Sequence, residues 1–284
     1  MLVKKPIVVA TDSGANLPRT LVERFDIEVI PLWVQIDDES YRDGVDITPL
    51  EFFRRLKDKV RGVRSSQPSP GEFIEFYRRL QERAEAVVSI HLGGKYSGLI
   101  DSARTAAAEL SPFPIAIIDT GTVAMAQGFV ALAAARAVEA GESLMGVVDR
   151  VCEIVPKVDL IAALEHVEYA VKGGRVAAAA RLVNSVLHIK PVVRVQGNQV
   201  SIIGRARTRA KVVRHMIDEL ADRVGDAPLH VAVLYTDAVD EAQRIRDEIV
   251  SRFHCVEVYV ERAAPVLGVH AGPDAVGLAF YPED

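Results

Sequence analysis

The stretch P-I-V-V-A-T-D-S-G-A-N, Pro6 to Asn16, decides the fold. Its unbroken apolar run reads as a strand buried on both faces, because a strand with one wet face would alternate. The run ends in Thr11-Asp12-Ser13-Gly14-Ala15-Asn16, a group of turn formers, and a helix follows over residues 18–25. The same order recurs downstream. A strand at 86–92 leads through Gly93-Gly94-Lys95-Tyr96-Ser97-Gly98 into a helix ending near residue 110. A strand at 115–119 leads through Thr120-Gly121-Thr122 into a long Ala-rich helix ending near residue 140. Repeated strand–loop–helix units predict a parallel sheet with helices on both faces. Ligands of such sheets sit in the crevice at the carboxyl ends of the strands. The polar loops that begin at Thr11, Ser65, Gly93 and Thr120 all fall at or near such ends.

Between these units, residues 27–36 read as one further strand, and Asp37-Asp38-Glu39-Ser40 as a turn. Thr48-Pro49-Leu50-Glu51 is a capping box that opens a helix to about residue 60. Next comes V-R-S-S-Q-P-S-P-G-E-F, Val63 to Phe73. Ser69 fits an N-cap, Pro70 the first helical position and Glu72 the reciprocal cap, so a helix runs on to about residue 83. Ser65, Ser66 and Gln67 have no such local role. A helix over 142–157 bridges to a second unit. There, strands at 159–164, 191–195 and 200–203 precede a helix at 206–220, the last two strands joined by the hairpin Gln196-Gly197-Asn198-Gln199. A strand at 230–235, a helix at 239–252, a strand at 256–260, a loop at 268–273 and a strand at 275–281 complete the chain. Lys172-Gly173-Gly174-Arg175 interrupts a helical pattern that resumes over 176–188. The expected fold is two α/β domains. Residues 1–157 carry a mainly parallel sheet, and residues 158–284 a mixed sheet with helices.

A net charge of -5 over 284 residues argues against a nucleic-acid partner. Cys152 and Cys255 stand far apart in apolar contexts, which reads as two buried free thiols in a reducing compartment. The apolar stretch 128–140 is interrupted by Arg136 and Glu139, too short and too charged to span a bilayer. The N-terminal apolar run is short for a signal peptide, so a soluble cytoplasmic protein is expected. Seven histidines occur without an i,i+4 pair or an HExxH motif, so no metal is expected. His270 differs from the rest in lying between glycines and a proline. Ser97 sits at a strand–loop–helix position, but G-K-Y-S-G is one residue longer than a nucleophile elbow. A serine-dependent lipid or ester hydrolase would use Ser97 with His270 as base and Asp119 or Asp274 as orienter. Gly93-Gly94-Lys95 lacks P-loop spacing, though an anion at that helix start stays open. Arg175, and the cluster Arg205, Arg207 and Arg209, are either solvated charge or a docking patch.

Several motifs together resemble the DegV family of bacterial fatty-acid-binding proteins along the whole chain. They are T-D-S at Thr11–Ser13, Y-R-D-G-V-D-I-T at Tyr41–Thr48, S-S-Q-P-S at Ser65–Ser69 and S-G-L-I-D-S-A at Ser97–Ala103. I-D-T at Ile118–Thr120, Gln127-Gly128, V-K-G-G-R at Val171–Arg175, Lys190-Pro191 and H-A-G-P at His270–Pro273 follow in family order. The resemblance implies a lipid tunnel at the interface of the two domains, holding one long-chain fatty acid (palmitate-like) and no cofactor. It implies that Ser65 and Ser97 bind the carboxylate, with Arg175, Arg207 and His270 near the head group or a partner. It further implies a non-catalytic subunit. An ATP-dependent fatty acid kinase would phosphorylate the bound carboxylate, and the acyl phosphate would pass to an acyltransferase for phospholipid synthesis. A lipid sensor without a kinase is the other non-enzymatic reading. Gly93-Gly94 stand where the family often has two serines, Leu99-Ile100 replace Thr-Tyr, and Asp274 adds a negative charge near His270.

Overall fold

A computed structural model describes residues 4–57, 62–175 and 189–283. The stretch at 176–188 and the end of the helix expected to reach residue 60 lie outside the described residues. Strand β1 (Lys5–Asp12) pairs in parallel with β2 (Glu28–Ile30) and β6 (Ala84–His91), and β6 pairs in parallel with β7 (Ile115–Asp119). The sheet order is β2-β1-β6-β7, all parallel as the strand–loop–helix repetition requires. Both faces of β1 are dry. Val8 and Ala10 pack with Phe73, Phe76 and Tyr77 of α3 (Pro70–Arg83) and with Leu99 and Ala103 of α4 (Leu99–Glu109). Ile7 and Val9 join Phe129 and Val130 of α5 (Ala124–Glu139) on the other face.

The stretch at 27–36 is two strands rather than one. Pro31 has no N–H to donate and cannot continue the ladder. Beyond it, β3 (Trp33–Ile36) leaves the parallel sheet and pairs antiparallel with β4 (Glu39–Arg42) and β5 (Val63–Ser66). Residues 63–66, expected in a loop, are thus a strand. Ser65 lies opposite Val34 and Ser66 opposite Trp33.

The second sheet has the order β10-β9-β8-β13-β11-β12. Its strands are β8 (Asp159–Ala163), β9 (Lys190–Gln196), β10 (Gln199–Ala206), β11 (Leu229–Tyr235), β12 (Cys255–Arg262) and β13 (Val276–Pro282). β11 and β12 run parallel, and the other pairs antiparallel. Met216 and Ile217 of α8 (Arg209–Val224) and Ile245 and Ile249 of α9 (Val239–Arg252) cover one face. The other face meets α5, which touches β1 and β6 on one side and β8 and β13 on the other. Thirteen of its sixteen residues are buried. A helix clamped between two sheets needs no polar face, and alanines let both sheets approach it closely.

Cys152 corrects one expectation. In α6 (Leu144–Ile154) Val147 and Val151 face inward, and the next residue turns outward by about 100°, so the Cys152 thiol is exposed. Cys255 is half-buried. The stretch at 268–273 also differs from expectation, because residues up to Ala271 complete α10 (Pro265–Ala271). This helix crosses from the second sheet back onto the first half of the chain. It packs on α2 (Pro49–Lys57), β3, β5 and α7 (Val167–Lys172). A Cβ at Gly268 would stand 2.6–2.7 Å from the Phe52 and Phe53 rings, so only glycine allows this approach. Asn16 accepts from the Ala264 amide and donates to the Arg262 carbonyl at 3.2 Å, fixing the start of the crossing. No described helix is long and apolar enough to cross a membrane.

Candidate functional site

Between the second sheet and the loops of the first lies a cavity of about 190 Å³. Leu160, Ala162, Val193, Val195 and Leu234 form its sheet wall, and Leu32, Leu92, Val266 and Leu267 face them. The lining is mainly aliphatic, but Ser65, Gln67, Ser97, Arg175 and His270 enter it, and Ser66, Tyr96, Tyr235 and Thr236 also line it. Four of the five residues the sequence singled out therefore meet in one place. Arg207 does not. It is exposed in the turn before α8 and outside the cavity lining.

Local structure aims each group. Along β5, exposure alternates, with Val63 and Ser65 half-buried and Arg64 and Ser66 exposed. The strand period thus turns Ser65 inward and Ser66 outward. The Ser97 hydroxyl accepts from the Leu99 amide at 3.2 Å at the entry of α4 and donates to Gln67 Oε1 at 3.3 Å. His270 comes from the last turn of α10, and its Nε2 lies 2.8 Å from Ser65 Oγ. Its other face rests on Gly173, where a Cβ would sit 2.2 Å from Nδ1. That nitrogen is enclosed and has no hydrogen-bond partner among the described residues. Burial, with Arg175 as a second cause, lowers the His270 pKa to about 4, so the ring is neutral at neutral pH. Arg175 is exposed and donates to the Tyr96 carbonyl at 3.2 Å and the Gly173 carbonyl at 2.7 Å.

The pairing expected of a hydrolase is not made. The Ser97 hydroxyl is bonded to Gln67 and Leu99, and His270 is bonded to Ser65. Neither Asp119 nor Asp274 orients His270: Asp119 binds the Gly94 and Gly121 amides, and Asp274 lies 4.0 Å from His166. The anion site at Gly93-Gly94-Lys95 is also filled from within. The Gly93 amide donates to the Thr122 carbonyl, that of Gly94 to Asp119, and that of Lys95 to Asn198 Oδ1. Asn198 belongs to the β9–β10 turn, so this loop latches the two sheets together. A Cβ at residue 93 would stand 2.6 Å from Asn198 Oδ1, and one at residue 94 would stand 2.9 Å from Asp119. Glycine in place of serine follows from that contact. The Thr11 loop is likewise committed. Asp12 is fully buried and accepts from the Gly14 and Leu92 amides and from Gln127 Nε2, with His91 Nδ1 3.0 Å away. Among the described residues, no group of three His, Cys, Asp or Glu side chains could hold a metal ion.

Sequence reasoning found no local role for Gln67 and missed its bond to Ser97. Its place between the cavity serines was the available signal.

A family model described as "Uncharacterised protein, DegV family" matches residues 6–283. The chain belongs to the DegV family. A DegV domain-containing protein of Streptomyces coelicolor is 34% identical over 96% of this chain and 97% of its own length. Two solved DegV structures share the fold. One, from Thermus thermophilus and described as fatty-acid binding, has 30% identity and a TM-score of 0.91, covering 98% of this chain and 100% of that one. The other, DegV of Bacillus subtilis, is described as a fatty acid binding protein. It has 28% identity and a TM-score of 0.88, covering 99% and 100% of the two chains. The two α/β domains, one with a parallel and one with a mixed sheet, are thus a DegV architecture.

Proposed function

We propose that this DegV chain binds a long-chain fatty acid in the cavity, tail against the aliphatic wall and carboxylate on the hydroxyls of Ser65 and Ser97. The observation that carries this reading is the composition of the cavity: a mainly aliphatic lining entered by two hydrogen-bonded polar pairs, Ser65 with His270 and Ser97 with Gln67. Each buried methylene contributes about 0.8 kcal/mol, so a long tail supplies on the order of 10 kcal/mol. The head then needs recognition more than affinity. Neutral hydroxyls provide it, since each can turn its proton toward a carboxylate. A bidentate arginine would hold both oxygens and blunt them as nucleophiles, whereas hydroxyls leave a lone pair free.

That distinction supports the further role implied by the family resemblance. The chain presents the carboxylate to a partner ATP-dependent kinase, keeps the resulting acyl phosphate and carries it toward phospholipid synthesis. Phosphoryl transfer belongs to the partner. Arg175, exposed at the cavity, offers a positive charge beside the head as negative charge grows on it. Arg207, exposed and apart from the cavity, is assigned to the partner's surface. The interface cavity acts as the lipid tunnel. A lipid-transfer assay tests the reading: Ser65→Ala with Ser97→Ala weakens fatty-acid binding, and an unchanged affinity rejects the assignment.

A further inference from the structure

Ser97 has one proton and two lone pairs, and its internal partners leave a question about the proton. The hydroxyl accepts from the Leu99 amide and gives its proton to Gln67 Oε1. In that state it turns only a lone pair toward the cavity, and a lone pair repels a carboxylate. Gln67 can resolve this because its amide carries a donor as well as an acceptor. Its Nε2 lies over Gly98, 2.7 Å from where a Cβ would stand, so any other residue at 98 would displace the amide. Rotating the amide by a half turn exchanges Oε1 for Nε2 at the same spot. Ser97 Oγ would then accept from Nε2 and from the Leu99 amide, and its proton would be free for a carboxylate oxygen.

We propose that Gln67 is a positioning residue that sets Ser97 as donor or acceptor, its amide presenting Oε1 in one orientation and, turned by a half turn, Nε2 when a carboxylate is bound. This rests on Ser97 being a carboxylate ligand. It adds a specificity rule: the site selects an ionised carboxylate over an uncharged head of similar size, because a strong acceptor is needed to draw the Ser97 proton away from Gln67 Oε1 and so favour the turned amide.

The test is Gln67→Glu, compared with wild type and with the Ser65→Ala, Ser97→Ala double variant. Binding of a long-chain fatty acid and of the fatty alcohol of the same length is followed from pH 8 downward. A glutamate at 67 keeps the shape of the side chain but, when ionised, offers acceptors only and adds charge beside the ligand head. The loss of one hydrogen bond to a charged group corresponds to about a tenfold to hundredfold weaker binding of the acid at pH 8. The loss should shrink as the pH falls and the glutamate gains a proton to donate, while alcohol binding by the same variant stays near wild type. Equal losses for acid and alcohol, or a loss independent of pH, would show a packing role and overturn the proposal. If the double serine variant binds the acid poorly and Gln67→Glu binds it normally at pH 8, the Gln67 assignment alone falls. If the double variant binds normally, the carboxylate site itself falls with it.

Discussion

Two histidines packed into this molecule experience opposite fates. His270 faces one hydroxyl, has no partner among the described residues at its second nitrogen and is neutral, its pKa lowered to about 4 by burial and Arg175. His230, on β11, has a carboxylate at each nitrogen, with Glu257 at 2.6 Å and Glu283 at 2.9 Å. Burial alone would lower its pKa too, but the two carboxylates outweigh it and the value is raised. Glu257 also accepts two bonds from Arg136 of α5 and one from Tyr259, and Tyr281 stacks on the His230 ring at 4.2 Å. Burial would raise the Glu257 pKa, yet these bonds hold it at about 2. The cluster around His230 is closed, and it ties α5 to the second sheet. The group around His270 keeps one exchangeable hydroxyl partner and a second nitrogen with no partner among the described residues. Polar groups that are fully paired hold the fold, and those with partners that can be exchanged are available to a ligand.

The largest expected effect lies in the closed cluster. Glu257→Ala leaves His230 Nδ1 and Arg136 without their carboxylate, though Glu283 stays on His230 Nε2, and it should lower unfolding free energy by about 2–3 kcal/mol in a denaturant titration. Fatty-acid affinity of the folded variant should stay near wild type. The open site should behave in the converse way. Ser65→Ala with Ser97→Ala should weaken binding by about a hundredfold or more while moving the ligand-free midpoint little. A large midpoint shift in the serine variant, or a large affinity loss in Glu257→Ala, would break the distinction between the two regions.

The pH dependence separates them with opposite signs. The raised pKa of His230 contributes stability that is fully present below its ordinary 6.5 and is lost as pH rises through the folded value. His270 binds its proton more weakly when folded, so it costs stability as pH falls from 6.5 toward about 4. Subtracting the stability profile of His230→Gln from wild type should leave a slope on the alkaline side. The same subtraction with His270→Gln should leave one on the acid side. Equal slopes in one direction would contradict the assignment. Smallest is Asn198→Ala, which removes the bonds to Lys95 and Asp119 at the latch between the sheets. It should cost about 1 kcal/mol in stability and leave binding unchanged.

Local signals carried most of the architecture. The apolar run at Ile7–Ala10 specified a doubly covered strand. The Ser69–Glu72 capping box forms as the spacing requires, with the Glu72 amide donating to Ser69 Oγ and the Ser69 amide donating to Glu72. The helix at Val239–Arg252 carries the bounds its periodicity indicated. What was not legible depends on distant partners. β5 holds two adjacent serines and becomes a strand only because β3 offers it an edge, after Pro31 has sent β3 out of the parallel sheet. α10 contains Gly268 and ends at Gly272, which locally reads as loop, and it is helical because two phenylalanines from α2 pack against that glycine. The bond between Ser65 and His270 joins residues 205 apart in sequence, and no local pattern encodes it. The resemblance carried by short motifs brought Ser65, Ser97, Arg175 and His270 forward together, where periodicity alone left the hydroxyls of 65–66 unexplained. It also marked Gly93-Gly94 as a departure from the family's two serines, and the contacts with Asn198 and Asp119 give those glycines a structural reason.

Native mass spectrometry of the purified protein, followed by extraction and identification of the released lipid, tests the central claim most directly. The wild-type chain should carry one long-chain fatty acid per molecule, and the Ser65→Ala, Ser97→Ala variant should carry little or none. A wild-type chain that binds no acid even when long-chain acids are supplied, or a double variant that retains it fully, would contradict the account.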